Sequence, residues 1–338
     1  MKSIVIFDEF NEIDLKPSQL LHHYMELARE DVAKFLIDGQ SLVATACPAC
    51  GHKEVLSAFK KFGLQYNECA QCQSLYVSSR PTDPALKQFF CQSKARTFWN
   101  KELYHLTRKK RKEKIIKPRF QWIVDSTQEY LPQAKHIVDI NANQYGYIEE
   151  MRNTRLFQQK SLLDPFAILG QEEFDPAIEI VRSPWWQTNW KETVDVISLF
   201  EVIDRVCDVD GLFQKAQQML KKGGLCFITT ILVSGFDLQT LWEKAENIFP
   251  PDRLNVFSVE GLQQLFQRHK FECLEFSTPG ILDVEIVEKA YQENPEIKLP
   301  KFVEYLFNKR KSDVKKAFQE FLQANLLSSY GRILIRKK

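Results

Sequence analysis

The chain has 338 residues, 44% hydrophobic and 27% charged, with a formal net charge of +2. That is the make-up of a globular protein with chain enough for two or three structural units and a sizeable core. The near-neutral balance selects no nucleic-acid or membrane partner, and no apolar run reaches the roughly eighteen residues of a membrane span.

Repeats and low-complexity tracts are missing, which excludes solenoids and disordered tails. The N-terminus shows no basic, apolar and small-residue succession of a signal peptide, so a cytoplasmic location is expected.

Residues 17–37 begin with Pro17 and Ser18 and carry Leu20, Leu21, Tyr24, Leu27, Ala28, Phe35 and Leu36 at helical spacing. They place a helical segment within 1-43.

Two Cys-x-x-Cys pairs follow, Cys47 with Cys50 and Cys69 with Cys72, separated by eighteen residues. Each pair can curl into a tight turn that aims two thiolates at one point, and the intervening chain can bring the turns together, so the spacing predicts a zinc ion. Pro48 fixes one φ in the first turn, and Gly51 lets the backbone close after the second thiolate. The alternatives are four buried reduced thiols or two disulfides. Disulfides fit poorly with a cytoplasmic chain whose other cysteines, Cys91, Cys207, Cys226 and Cys273, show no pairing pattern. Four sulfur ligands leave no open coordination position, so the expected role is structural. The module spans 44-80, with strand-like pieces around 64–66 and 75–77.

Pro81 and Pro84 introduce a helical connector over 81-132 that contains the run Arg108-Lys109-Lys110-Arg111-Lys112. Such a run can bind phosphates, but it is more commonly a solvated helix face, and no aromatic platform is interleaved with it as single-stranded nucleic-acid binders require.

From 133-338 short apolar strands alternate with helical segments, the pattern of an α/β fold with a parallel sheet wrapped by helices. Strands are expected at 136–140, 160–164, 177–182, 194–200, 224–231, 271–277 and 331–336. A helical insertion over 282-327, with Val314, Phe318, Phe321 and Leu322 at helical spacing, is placed to act as a lid or substrate cap. Trp185, Trp186 and Trp190 are expected to pack an edge of the sheet.

Ligands of open α/β sheets bind at the carboxyl ends of the strands. Those ends carry Asp139, leading into Asn141, Asn143, Tyr145 and Gly146, then Asp164, then Phe200 and Glu201. Gly223 and Gly224 make the turn into the fifth strand.

These stretches resemble the class I S-adenosylmethionine-dependent methyltransferases over 136–280 and the reversed last strand at 331–336. Residues 137–140 are similar to that family's first motif, 195–203 to its fourth-strand motif and 220–225 to its turn before strand five. The resemblance implies a Rossmann-like seven-stranded methyltransferase sheet, with Asp139, Asn141, Asn143 and Gly146 lining the methionine part of the cofactor. It further implies that Asp164 binds the ribose hydroxyls and that Phe200 and Glu201 lie beside the transfer site. The zinc ribbon is similar to that of a subset of these enzymes, some acting on nucleotide-linked sugars.

Three departures stand out. Asn141 and Asn143 replace glycines, Asp204-Arg205 replaces a frequent Glu-His pair, and Arg253 stands where related proteins place a histidine. Arginine grips anions but is no base near neutral pH. Glu201, Tyr145, Arg253, His22 and His23 are therefore the candidates for catalytic or substrate roles.

The leading expectation is methyl transfer from S-adenosylmethionine to a polar small molecule, a sugar or nucleotide sugar among the acceptors. A non-catalytic binding or scaffold protein that holds a protein partner is the second reading, and an RNA methyltransferase the third.

Overall fold

The computed structural model describes residues 15, 17–39, 42–140, 146–163, 177–183, 185–191 and 193–338. The helix Ser18–Val32 buries Leu21, Tyr24 and Ala28 on one face. Asp31 at its end accepts hydrogen bonds from Ser93 Oγ (2.6 Å) and the Ala95 amide (2.8 Å), tying it to the start of the helix Lys94–Phe98.

The cysteine module holds β1 (Val43–Ala44), β2 (Val55–Lys61), β3 (Leu64–Cys69), β4 (Leu75–Val77) and β5 (Ser79–Arg80). β3 and β4 lie where strand-like pieces were expected, and β2, with an exposed outer face, was not foreseen. The β2–β3 register closes at Lys61↔Leu64 around Phe62 and Gly63, with φ of 48° and 82°. Two left-handed residues are what a two-residue hairpin turn matched to the strand twist requires.

Helical chain then runs from Asp83–Gln92 to Lys117–Tyr130. The basic run divides along it: Arg108, Lys109 and Lys110 face solvent, whereas Arg111 and Lys112 are half-buried.

The main sheet contains β6 (His136–Ile140), β7 (Gln159–Leu163), β8 (Glu179–Val181), β9 (Val194–Phe200) and β10 (Leu220–Ile231). β11 (Asn255–Val256) belongs instead to the sheet of the cysteine module, paired with β4, and β12 (Phe271–Ser277) and β13 (Tyr330–Lys337) complete the main sheet. Its order is β12-β13-β10-β9-β6-β7-β8, with β6 to β10 parallel and β13 antiparallel to both neighbours.

Gly223 and Gly224 lie inside β10 and not before it. The register with β9 jumps between Leu220 and Leu225, and Gly223 at φ 77° carries the bulge, so the expected turn is an irregularity of a longer strand.

Side chains alternate across the sheet, as a two-residue period demands. Ile137, Val196, Phe227 and Leu334 pack under Phe120 and Ile123 of the helix Lys117–Tyr130. Val138, Ile197, Ile228 and Ile333 pack with Leu212 of the helix Val209–Met219 and with Leu262 and Leu265 of Val259–Arg268. The second layer also takes in Cys47, Cys69 and Cys72. Trp185 is buried in it, and Trp190 lies edge-on to His136 at 5.9 Å.

The insertion forms the helices Asp283–Glu293, Lys301–Lys309 and Ser312–Ala324. Of its periodic residues Leu322 is buried and Phe318 half-buried, but Val314 and Phe321 face solvent. A third apolar cluster joins Val284, Val287 and Leu306 of this insertion to Leu64, Tyr66 and Val77 of the cysteine module.

Candidate functional site

Two chemically distinct sites emerge. In the first, the Sγ atoms of Cys47, Cys50, Cys69 and Cys72 all lie within 4.8 Å of one another, and the Cys47–Cys72 and Cys50–Cys69 pairs are 3.5 Å apart. A zinc tetrahedron with metal–sulfur bonds of about 2.3 Å has edges of about 3.8 Å, so the donor set suits that ion.

Each pair sits on a tight turn. The Gly51 amide bonds back to the Cys47 carbonyl (2.8 Å) and the Gln73 amide to the Cys69 carbonyl (2.9 Å). Gly51 has φ 80°, as its position after the second thiolate suggested; in the other turn Gln73 takes φ 60° in the matching place.

The second site lies at the carboxyl end of β9. Glu201 takes a left-handed φ of 56°, its amide bonded to the Thr229 carbonyl at 2.8 Å. Its carboxylate accepts from Arg119 Nη2 at 2.8 Å and Arg253 Nη2 at 3.2 Å, with Arg205 Nη2 at 3.8 Å. Burial alone would raise this carboxyl, but Arg119, Arg253 and Arg205 together hold it well below the usual range.

Arg253 also pairs with buried Asp204 at 2.9 Å. Desolvation wins there and lifts Asp204 to about 6 despite the arginine. Asp252 pairs with Arg205 at 3.4 Å and accepts from Tyr24 Oη at 2.9 Å. The histidine-to-arginine and Glu-His departures noted in the sequence thus belong to one ion network.

The cysteine module holds this network in place. Tyr66 Oη donates to the Arg253 carbonyl at 2.7 Å, and the Val77 amide to the Leu254 carbonyl at 2.9 Å. Asn255, paired opposite Tyr76, donates to the carbonyls of Ile203 and Val206 at 2.8 and 2.9 Å. The loop that follows β9 is therefore fastened to the module through the segment 252–256.

A cavity of about 420 Å³ opens beside Glu201, between the N-terminal helices and the helix Asp283–Glu293. Tyr24, Trp99, Tyr104, Phe249 and Tyr330 supply aromatic walls. Nine of the described lining residues are lysine or arginine and five are aspartate or glutamate; none is histidine. The insertion lines this cavity through Leu282, Asp283 and Ile286.

Among the residues singled out in the sequence, Glu201 and Arg253 meet in this site. Asp139 is buried on β6, where it accepts from Ser198 Oγ at 2.5 Å, and burial pushes it up to about 7. Phe200 ends β9 and stacks on Trp122 at 6.2 Å. Gly146 opens the helix Gly146–Asn153. Asn141, Asn143, Tyr145 and Asp164 lie outside the described residues. His22 and His23 are surface residues near Glu246 and Glu26 and do not line the cavity.

Arg119, Arg111 and Tyr330 were not anticipated as site residues. Arg119 and Tyr330 are 211 positions apart and meet only through the fold, and Arg111 lay within a run that reads as a uniform basic face. The one sequence signal for such a cluster was the arginines at 205 and 253 in place of other residue types.

The profile of a family described as a methyltransferase domain matches residues 115–275. No curated protein matches the sequence. Similar solved structures include a SAM-dependent methyltransferase from Thermotoga maritima, at 16% identity and TM-score 0.41, covering 70% of this chain and 98% of that one. Another is an S-adenosylmethionine-dependent methyltransferase from Mesorhizobium loti, at 15% identity and TM-score 0.39, covering 64% and 98%. A third is geranyl diphosphate C-methyltransferase from Streptomyces coelicolor A3(2), at 14% identity and TM-score 0.41, covering 73% and 84%. Likeness at this level bears on neither activity nor acceptor. A methyltransferase-domain profile thus accounts for residues 115–275, slightly under half of the 338-residue chain.

Proposed function

We propose that the chain is an S-adenosylmethionine-dependent methyltransferase of a polar small molecule, with a sugar or nucleotide sugar among the acceptors. The observation that carries this reading is the large, aromatic-walled and charged cavity opening beside Glu201 at the carboxyl end of β9, where ligands of such sheets bind. Bound cofactor would supply a methyl group on a sulfonium.

Asp139, Asn141, Asn143, Gly146, Asp164, Phe200 and Glu201 would form the cofactor side. Glu201, held well below the usual carboxylate range and shared among three arginines, is a poor proton acceptor; its role would be to fix Arg119 and Arg253 against the cavity. Tyr145 remains a candidate for contact with the acceptor. The four thiolates would hold a structural zinc that stiffens the acceptor side, and reduced thiols fit a cytoplasmic setting. In this reading 1-43, 44-80, 81-132 and 133-338 are the functional segments, with 282-327 as the cap.

Calorimetry of the zinc-loaded chain with S-adenosylmethionine and S-adenosylhomocysteine tests the proposal. Saturable binding of both is expected; no heat at millimolar ligand would sink it. It would leave standing the second reading, a binding protein on the same fold, which the asparagines at 141 and 143 favour.

A further inference from the structure

Arg111, Arg119 and Arg332 all line the cavity, and Arg119 repels each of the other two. Their side chains are only partly used. Arg119 donates Nε to Tyr330 Oη at 2.8 Å and Nη2 to Glu201, while its Nη1 is buried with no hydrogen-bond partner. Arg111 stacks on Trp99 at 5.1 Å and donates to Thr107 Oγ1 (2.8 Å) and the Leu15 carbonyl (2.5 Å). Arg332 lies over the Trp122 ring at 4.4 Å, and its buried Nε also lacks a partner.

Only one of these three guanidiniums has a carboxylate within ion-pair distance among the described residues. That carboxylate, Glu201, already serves Arg253 and Arg205.

A buried cation without a counter-ion costs several kcal/mol unless neutralised, and the planar guanidinium fork suits oxyanions in particular. Burial also makes Arg111 and Arg332 hold their protons less firmly than a free guanidinium, an effect that Glu201 and Tyr104 on the first and Tyr330 and Glu275 on the second only partly offset. Flat apolar walls from Trp99, Tyr104 and Tyr330 provide room for an organic body beside the charge.

We propose that the cavity binds an organic anion through a phosphate or carboxylate group docked against the guanidinium of Arg119, with Arg111 and Arg332 alongside. That this anion is the methyl acceptor rests on the function proposed above; the anion site itself does not. The arginines are positioning residues: they orient the anion relative to the end of β9.

Titration calorimetry at low ionic strength, on the full zinc-loaded chain, separates the two sources of the anion. Inorganic diphosphate is the phosphate probe and citrate the carboxylate probe. At least one is expected to bind in one-to-one stoichiometry, the tighter of the two identifying the group.

Arg119→Gln and Arg111→Gln should each weaken that binding about tenfold or more, the loss of one charge-assisted hydrogen bond. Arg119 also holds Glu201, so near-ultraviolet circular dichroism accompanies each variant, and Arg111→Gln carries the test if Arg119→Gln does not fold.

The inference is overturned if neither probe binds the native chain at millimolar concentration, or if Arg111→Gln and Arg332→Gln both bind as tightly as the native chain. Binding of S-adenosylmethionine without any anion binding would overturn it while sparing methyl transfer. Arginine-dependent anion binding without cofactor binding would do the reverse.

Discussion

Asp139 carries the clearest pH signature of any single residue. Burial lifts its carboxyl from an ordinary 3.8 to about 7, against the one hydrogen bond from Ser198 that lowers it. The folded chain therefore holds this proton more tightly than the unfolded chain. Stability from the group is complete below its unfolded value and is lost as pH climbs through about 7, at a slope of about 1.4 kcal/mol per pH unit in between. Replacing Asp139→Asn removes the slope, so urea unfolding should show the variant gaining on the native chain from pH 5 to about 7. A stability difference that stays constant across that range would show that Asp139 ionises without cost. Glu201 has the opposite sign, since its arginines reverse the effect of burial. Two carboxylates near strand ends are thus shifted in opposite directions. Sequence could place both at the carboxyl edge through the strand pattern, but it could not tell them apart. The difference comes from Arg119, which reaches Glu201 across 82 positions and sits in a helix with no local mark of function.

At the scale of elements, patterning predicted the main sheet closely. β6 and β9 are buried almost throughout, as strands covered on both faces are, although they carry His136, Asp139, Asp195 and Ser198 among their apolar residues, and their ends fall where the sequence placed them. β8 shrinks to Glu179–Val181, and β10 begins earlier than expected because a glycine bulge lets the ladder continue through what read as a turn. β11 was illegible for a different reason. Two residues, Asn255 and Val256, carry no period, and only pairing with β4 makes them a strand. That pairing couples the cysteine cluster to Arg253, which yields a prediction about metal removal. Binding free energy of structural zinc, about 10 kcal/mol or more, is largely folding free energy. Chelation should therefore melt β3, β4 and β11 together. Hydrogen exchange should then rise at the amides of Val77 and Asn255, which bond to the Leu254 and Asp204 carbonyls at 2.9 and 3.0 Å. Faster exchange confined to the turns at 47–51 and 69–73 would mean that the module does not support the arginine loop.

Across the whole molecule, the cavity sets two requirements in opposition. Its lining carries more cations than carboxylates, yet the proposed cofactor brings a positive sulfonium to the neighbouring strand ends. In that reading Glu201 is the carboxylate that would favour the charge, and it is already divided among Arg119, Arg253 and Arg205. An anion on Arg119 would relieve the excess, so each ligand should bind better in the presence of the other. The coupling is reciprocal by thermodynamic necessity, and for two charged ligands at adjoining sites about 1–3 kcal/mol is the usual range. Calorimetry with S-adenosylmethionine, repeated in saturating diphosphate or citrate at matched ionic strength, should then show an affinity higher by about five- to a hundredfold. Added salt should erode the gain, because the part of the cavity open to solvent is screened within about 10 Å at 0.1 M. S-adenosylhomocysteine provides the control: it lacks the sulfonium charge, so the anion should improve its binding much less. Equal enhancement of both cofactor forms would show that the anion acts by closing the insertion over the cavity and not through charge, and no enhancement of either would show that the two sites are independent.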